Sequence, residues 1–551
     1  MTERPNPILF YHPDGYRVAR DDLKGRHSAG EAFLTAFLEH TAGPDIFALC
    51  GSKEAAEDFQ KTLKSQKPGF TARPVSRLDA EALRRQGVMY VPQPGIADEA
   101  RMRAFLGDDA YAVCGVTHTI SSQNVLDGVA DIPVSPTQPW DALICTSKSV
   151  HDALSGVLTL VEEDLRARLG AKEFRRPLMP VIPLGVHAKR FTRNDTDRAR
   201  WRKKLGIADD ATAILFFGRL SVHAKAAPFQ LAQAAELAAR QSKKPLAIIW
   251  CGWFNDDFQR RVFMNTAKSM APSVPFHHVD GRAAEARFSV WSAADVFCSL
   301  SDNIQESFGL TVIEAMAAEL PIVVSNWNGY REAVEHGKNG ILVDSYLPST
   351  PLADAGYRHI TGVDTYDLYI GALSQLCFVD LEQTAGWLAR LANEPELRRT
   401  LAAAARKTVE VEFDWKVVMP RYEQLWGEQL AMLARARGDN SRVNSQAWKV
   451  QDPSSTFAGF PSHRLADDTP LAAGALFGRW NDLVRQPGIV INSNVLTGRS
   501  QFQTLHKLYA DEQPHRVGDA LALYPAAERD AVANTLHWAI KVGLLRLAKN
   551  S

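Results

Sequence analysis

From Ser301 to Asp344 the chain reads SDNIQESFGLTVIEAMAAELPIVVSNWNGYREAVEHGKNGILVD, and this stretch decides the fold. Within it Glu306 and Glu314 flank the turn Phe308-Gly309-Leu310-Thr311. The apolar spacing Leu310, Ile313, Ala317 predicts a helix that begins near Thr311. Glu306 then lies in the loop before the helix and Glu314 about one turn inside it, so the two carboxylates serve different parts of a ligand. Gly309 lets the backbone approach closely, and the N–H groups of the first helical turn, helped by the helix dipole, form a cradle for a diphosphate. An ionised Glu only accepts hydrogen bonds, so one on each side of such a cradle suits the hydroxyls of a ribose and a sugar.

Working outward, short apolar runs alternate with helical patterns along most of the chain. Ile8 to Tyr11, Ile46 to Cys50, Val88 to Val91, Ala112 to Val116, Ala142 to Cys145 and Val181 to Ile182 read as buried strands. The pattern restarts after Phe191, with strands expected at Ala213 to Phe217, Leu246 to Trp250, Phe276 to Val279, Val296 to Ser299, Ile322 to Ser325 and Ile341 to Val343. Such alternation predicts two α/β domains, each a doubly wound parallel sheet covered on both faces. Ligands in sheets of this kind bind beyond the carboxyl ends of the strands, and two such domains leave a cleft for a donor and an acceptor.

Composition narrows the remaining classes. At 551 residues the chain exceeds what one core supports, and about three domains are expected. Its 63 basic and 63 acidic residues cancel, so no global field recruits nucleic acid or anionic lipid. Cys50, Cys114, Cys145, Cys251, Cys298 and Cys377 are widely spaced, without paired metal-ligand spacing, and read as reduced core thiols. The start MTERPNPILFYHPDG has no basic segment followed by a long apolar one. No apolar run approaches the roughly 20 residues that cross a bilayer. A cytoplasmic location is therefore expected, with any membrane contact peripheral and at the inner face.

The order of elements after Glu314 comprises a small-residue helix, the run Pro321 to Ser325, a turn at Asn328-Gly329, a short helix with Glu332, and Gly337-Lys338-Asn339-Gly340 before another strand. It resembles the donor-binding half of family four glycosyltransferases, the retaining sugar-nucleotide-dependent enzymes of GT-B fold. Pro180-Val181-Ile182-Pro183-Leu184-Gly185-Val186 followed by Arg190-Phe191 resembles the family's interdomain linker, with Leu184 where Asn is usual. Phe413-Asp414-Trp415, then Tyr422, Leu425 and Trp426, resembles the terminal helix that crosses back onto the first domain. A further departure is Glu319, where the family often has Gly.

That resemblance, over about residues 8 to 430, implies site residues. In Phe216-Phe217-Gly218-Arg219-Leu220-Ser221-Val222-His223-Ala224-Lys225, Arg219 and Lys225 match in type the cations that hold the donor diphosphate, Lys225 one residue later than the commonest spacing. Fixed positive charge belongs there because sugar–phosphate cleavage leaves negative charge on the nucleotide. Glu306 would contact donor-sugar hydroxyls, Glu314 the ribose diol, and backbone groups of Gly309, Leu310 and Thr311 the phosphates. Gly25-Arg26-His27-Ser28-Ala29-Gly30-Glu31 occupies the place of the glycine-rich loop, making Gly25 and Gly30 candidates. His118 matches a histidine facing the reacting sugar. Glu332 is expected to support the fold, and Asn303 and Gln305 to tie down the loop before Glu306.

Together these give catalytic candidates Arg219, Lys225, Glu306 and His118, with no metal and no resident cofactor expected. The expected domains are an acceptor-side Rossmann-like domain over 1–192, a nucleotide-sugar-binding one over 193–412, the crossing helix 413–438, a linker 439–470 rich in Ser, Asn, Asp and Pro, and a helical accessory domain 471–551. In the last, Ala475 to Leu483, Phe502 to Tyr509, Val517 to Leu523 and Ala531 to Leu545 read as short helices, compatible with a winged-helix type. From Asn440 to Ser551 there are 12 Lys and Arg against 9 Asp and Glu, net +3 without a basic cluster, so nucleic-acid binding is not expected. This tail reads as a module for a protein partner or self-association. An insertion between Asp344 and Val379 carries no assignable role. The implied partners are a nucleoside-diphosphate sugar and a glycan or glycoconjugate acceptor; a sugar-phosphate glycosyl synthase and a non-catalytic scaffold are the alternatives.

Overall fold

The computed structural model describes residues 6–16, 25–41, 43–225, 227–439, 445, 451–486 and 488–548. The chain divides into two compact units, residues 1–450 and 451–551. Within the first unit six parallel strands form one sheet: β1 (Ile8–Tyr11), β2 (Asp45–Cys50), β3 (Thr71–Val75), β4 (Val88–Val91), β5 (Ala112–Val116) and β6 (Ala142–Ile144), ordered β3-β2-β1-β4-β5-β6. A second parallel sheet holds β7 (Thr212–Phe217), β8 (Leu246–Gly252), β9 (Phe276–Asp280), β10 (Val296–Ser299), β11 (Ile322–Ser325) and β12 (Ile341–Val343), ordered β12-β11-β10-β7-β8-β9. Both orders are the doubly wound arrangement, in which the strand order reverses beside the first strand and opens a crevice at the carboxyl edge. Strands β4, β5, β6 and β7 are buried at every position, as sheets covered on both faces demand.

Two details depart from the sequence expectation. Val181 to Ile182 is not a strand: Val181 joins Cys145 by an isolated bridge and is 40% exposed. Conversely, Thr71–Val75 is a strand without an apolar run, because at the sheet edge it buries only Val75.

Two chain segments cross between the domains side by side. Val186 N–H donates to Phe413 O at 2.8 Å, and Trp415 N–H donates to Val186 O at 3.1 Å. A Cβ on Gly185 would fall 2.5 Å from the Trp415 ring, so the linker needs glycine there. From this point the helix Trp415–Arg437 returns to the first domain. Trp415, Tyr422 and Trp426 join Phe33, Phe37 and Tyr90 in one core, and Gln429 Nε2 donates to the carbonyls of Val113 and Trp140.

Residue 445 apart, the first part of the expected linker, residues 440–450, lies outside the described residues. The second unit is mainly helical, with Trp480–Leu483, Arg499–Tyr509, Val517–Ala522 and Arg529–Lys541. It also holds a small antiparallel sheet, in which Pro470–Ala473 pairs with His515–Arg516 and Leu545–Leu547. Its own core gathers Leu471, Trp480, Leu505, Tyr509, Val532 and Leu536. With a separate core in each unit, a chain ending at Asp439 is expected to remain folded and to unfold at the midpoint of the corresponding transition in the full chain. Calorimetry on both proteins checks this; a truncated chain that aggregates or melts as a molten globule would contradict it.

Candidate active site

The switch point of the second sheet lies between β7 and β10, and the two loops leaving these strands carry three of the four catalytic candidates, Arg219, Lys225 and Glu306. The loop after β7 is anchored by backbone contact: a Cβ on Gly252 would sit 1.8 Å from Gly218 O, and Leu220 N–H donates to Trp253 O. Arg219 Nη2 donates to Gln305 Oε1 at 2.8 Å, and Lys225 Nζ lies 3.0 Å from Glu306 Oε2. Each cation after β7 thus meets a side chain of the loop after β10. Lys225 holds this position from a left-handed φ of 77°, an unusual backbone for a side-chain-bearing residue.

The loop after β10 is polar yet buried. Ser301, Asp302 and Asn303 are each 2% exposed or less and Glu306 is 9% exposed, which requires partners. Asn303 Nδ2 donates to His223 O at 2.8 Å, its Oδ1 accepts from Gln305 N–H at 2.8 Å, and Trp327 Nε1 donates to Asn303 O. Asn303 therefore ties the loop down, while Gln305 instead meets Arg219. Asp302 accepts from Ser374 Oγ and Gln230 Nε2, and burial pushes its carboxyl up to about 6.

Next comes the helix Leu310–Ala317, with Glu306 before it and Glu314 in its second turn. Gly309 precedes it at φ 97°, and a Cβ there would fall 2.2 Å from the Tyr330 ring. No side chain caps the helix, so its first N–H groups, those of Leu310 and Thr311 included, have no intrahelical acceptor. Among the described residues the Glu314 carboxylate has no hydrogen-bond partner; burial pushes it up to about 7, against the pull of the Arg287 guanidinium. Arg287 in turn reaches Glu31 of the first domain at 3.3 Å.

The first-domain candidates lie on the helix Gly25–His40 and in the loop after β5. Gly25 to Glu31 is not a loop: the helix runs Gly25–His40, placing Gly25 at its first residue and Gly30 inside it. The cause is close packing, since a Cβ on Gly30 would meet Gly15 O at 1.9 Å. His118 follows β5 and shares a cavity with Gly30, Tyr16, Tyr90 and Trp415. Glu332 supports the interdomain contact: its Oε1 accepts from the N–H groups of Lys148 and Ser149, the start of the first-domain helix Lys148–Leu169. Beside it Ser147 Oγ donates to Ser307 O at 2.9 Å. Glu319 is exposed at φ 54°, so a side chain replaces the usual Gly at a modest backbone cost, and its carbonyl accepts from Arg193.

Residues 197–355 match the family model described as glycosyl transferases group 1. Over this segment the chain is similar to that family. D-inositol 3-phosphate glycosyltransferase of Corynebacterium jeikeium is 30% identical over 218 residues, 38% of this chain and 50% of that protein. The namesake of Thermobispora bispora is 25% identical over 264 residues, 46% and 51% of the two chains. The chain thus spans about half the length of the curated relatives it matches. Among solved structures, Anabaena Alr3699/HepE in complex with UDP is similar at a TM-score of 0.50 and 15% identity, over 77% of this chain and 100% of that one. At that identity the likeness shows the fold, two Rossmann-like domains of GT-B type.

The matched family segment includes Arg219, Lys225, Glu306, Gly309 and Glu314. Replacing Gly309 by Ala is expected to cost about 2 kcal/mol or more, because the backbone conformation and the Tyr330 contact both penalise a Cβ. Denaturant unfolding of Gly309→Ala checks this; an unchanged midpoint would contradict it.

Proposed function

We propose that the chain is a retaining glycosyltransferase that moves a sugar from a nucleoside-diphosphate sugar, UDP- or GDP-linked, to a glycan, lipid-linked or other glycoconjugate acceptor. One observation carries this reading: Arg219 and Lys225 bond to Gln305 and Glu306, in the loop that leads into the uncapped helix Leu310–Ala317. Two cations and a helix N-terminus form a site for a diphosphate, and the adjoining carboxylates accept from hydroxyls. The group 1 match over this segment and the UDP held by the Anabaena protein support the donor class.

In the reaction, the bond between the anomeric carbon and the phosphate oxygen breaks while the acceptor oxygen bonds to that carbon from the same face. The leaving diphosphate takes up negative charge, which Arg219 and Lys225 stabilise in place, and its oxygen receives the acceptor's hydroxyl proton. No Ser-His-Asp triad and no pair of acid and base carboxylates is then needed. Glu306 orients the donor sugar, Glu314 the ribose diol, and His118 with Gly30 flanks the sugar from the first domain. The accessory unit serves a protein partner or self-association, and the site of action is the cytoplasm, with membrane contact at most peripheral.

A second reading, transfer to a small phosphorylated polyol, draws on the name of the curated relatives, D-inositol 3-phosphate glycosyltransferase. A pure scaffold role is disfavoured because it needs neither Arg219 nor the two glutamates. Thermal shift against UDP, GDP and ADP sugars tests the donor class by mass action, and transfer to glycan or phosphorylated-polyol acceptors separates the two readings.

Arg219→Ala and Glu306→Gln are each expected to lower turnover at least about tenfold with the fold intact, a loss of about 1.4 kcal/mol of transition-state stabilisation. Near-normal turnover in both would remove the site assignment. Activity is expected to survive EDTA, since the site offers Arg219, Lys225 and a helix N-terminus for the diphosphate and the sequence has no Asp-x-Asp after a strand to hold a divalent ion. Loss on chelation with rescue by magnesium or manganese would contradict it.

A further inference from the structure

The insertion between β12 and β14 (Phe378–Val379) contributes β13 (Ser345–Tyr346) and the helices Ala353–Ile360 and Tyr366–Leu376. The second of these helices is fastened to the donor side. Ser374 Oγ donates to Asp302 at 2.7 Å, Asn303 Nδ2 reaches Ile370 O, and Gly371 leaves just enough room for His223, whose Cβ would lie 3.1 Å from an added Cβ. Its first residue points the other way. The Tyr366 hydroxyl lies 2.7 Å from Ser121 Oγ of the first domain and accepts from Gln305 Nε2 at 3.3 Å. Gln305 holds Arg219, and Ser121 Oγ lies 3.0 Å from Thr119 Oγ1 in the loop that carries His118.

We propose that Tyr366 is a positioning residue, a latch that closes the two Rossmann-like domains over the donor. One hydroxyl joins the arginine side of the site to the histidine-bearing loop through Gln305 and Ser121. Because the helix beneath Tyr366 is pinned at Asp302 and Asn303, the ring cannot drift with the first domain; the bond to Ser121 forms only when the two carboxyl edges meet. A neutral hydrogen bond of this kind shifts such an equilibrium by about two- to tenfold. The diphosphate cradle lies wholly in the second domain, so nucleotide affinity does not depend on the latch, whereas transfer, which needs both domains, does. The activity half of this inference rests on the function proposed above; the conformational half does not.

The test uses the full chain with Cys50→Ser, spin labels at the exposed positions Lys53→Cys and Lys268→Cys, and Tyr366→Phe, Ser121→Ala and their combination. Each single variant is expected to broaden the interdomain distance toward longer values, the double variant no further than either, and Ser121→Thr to restore the wild-type distribution. In steady-state transfer from the sugar nucleotide, Tyr366→Phe should lower kcat/KM about two- to tenfold while the Kd for UDP or GDP by calorimetry changes less than twofold. Unchanged distances, additive broadening, or a nucleotide Kd that weakens in step with kcat/KM would overturn the latch. If the wild-type chain transfers no sugar, the functional reading fails and the distances alone decide the latch.

Discussion

Everything at the cleft depends on the paired crossing at Val186 and Asp414. Two strands of chain leave one domain for the other there, and backbone hydrogen bonds from Val186 to Phe413 and from Trp415 to Val186 fuse them into a single connection. Gly185 lets the Trp415 ring lie against the linker backbone, and the helix that follows seals itself into the first-domain core through Trp415, Tyr422 and Trp426. A single flexible tether would leave the two carboxyl edges free to sample many orientations at large entropic cost to any site they share. The double crossing restricts those orientations, and a handful of polar contacts join the two domains beyond it: Glu332 on the start of Lys148–Leu169, Ser147 on Ser307, Arg287 with Glu31 and Tyr366 with Ser121.

Within the second domain, the site is made from a loop that stays polar while being buried. Between Ser301 and Glu306 the side chains of Asp302, Asn303, Gln305 and Glu306 have defined partners, most of them on elements distant in sequence: Gln230 and Ser374, His223, Arg219 and Lys225. Such a network is rigid because breaking any bond leaves a desolvated group behind. Its rigidity holds Gln305 and Glu306 against Arg219 and Lys225, so both cations are fixed beside the loop after β10. Lys225 and Glu306 are neither fully exposed nor fully buried, with side chains 32% and 11% exposed, which leaves both able to exchange their mutual contact for a ligand. Glu314 differs, lying without a partner among the described residues and with a carboxyl raised by burial.

The sequence by itself determined the two doubly wound sheets and the position of the acidic pair. Period, length and polarity of local runs were enough, because strands buried on both faces must be apolar throughout, as Val88–Val91 and Ile322–Ser325 are. The same local rules placed Glu306 before a helix and Glu314 inside it. They failed where burial did not follow that pattern. The edge strand Thr71–Val75 carries polar residues, and the Gly25–Glu31 segment reads as a loop until Gly15 is found against Gly30. Only the tertiary structure decided which residues meet: Arg219 with Gln305, Lys225 with Glu306, Glu332 with a helix start in the other domain, and Tyr366 with Ser121 across 245 positions of chain. Those pairings are set by how loops close over a packed core, and side-chain hydrogen bonds reaching that far leave no periodic trace in the residues between them.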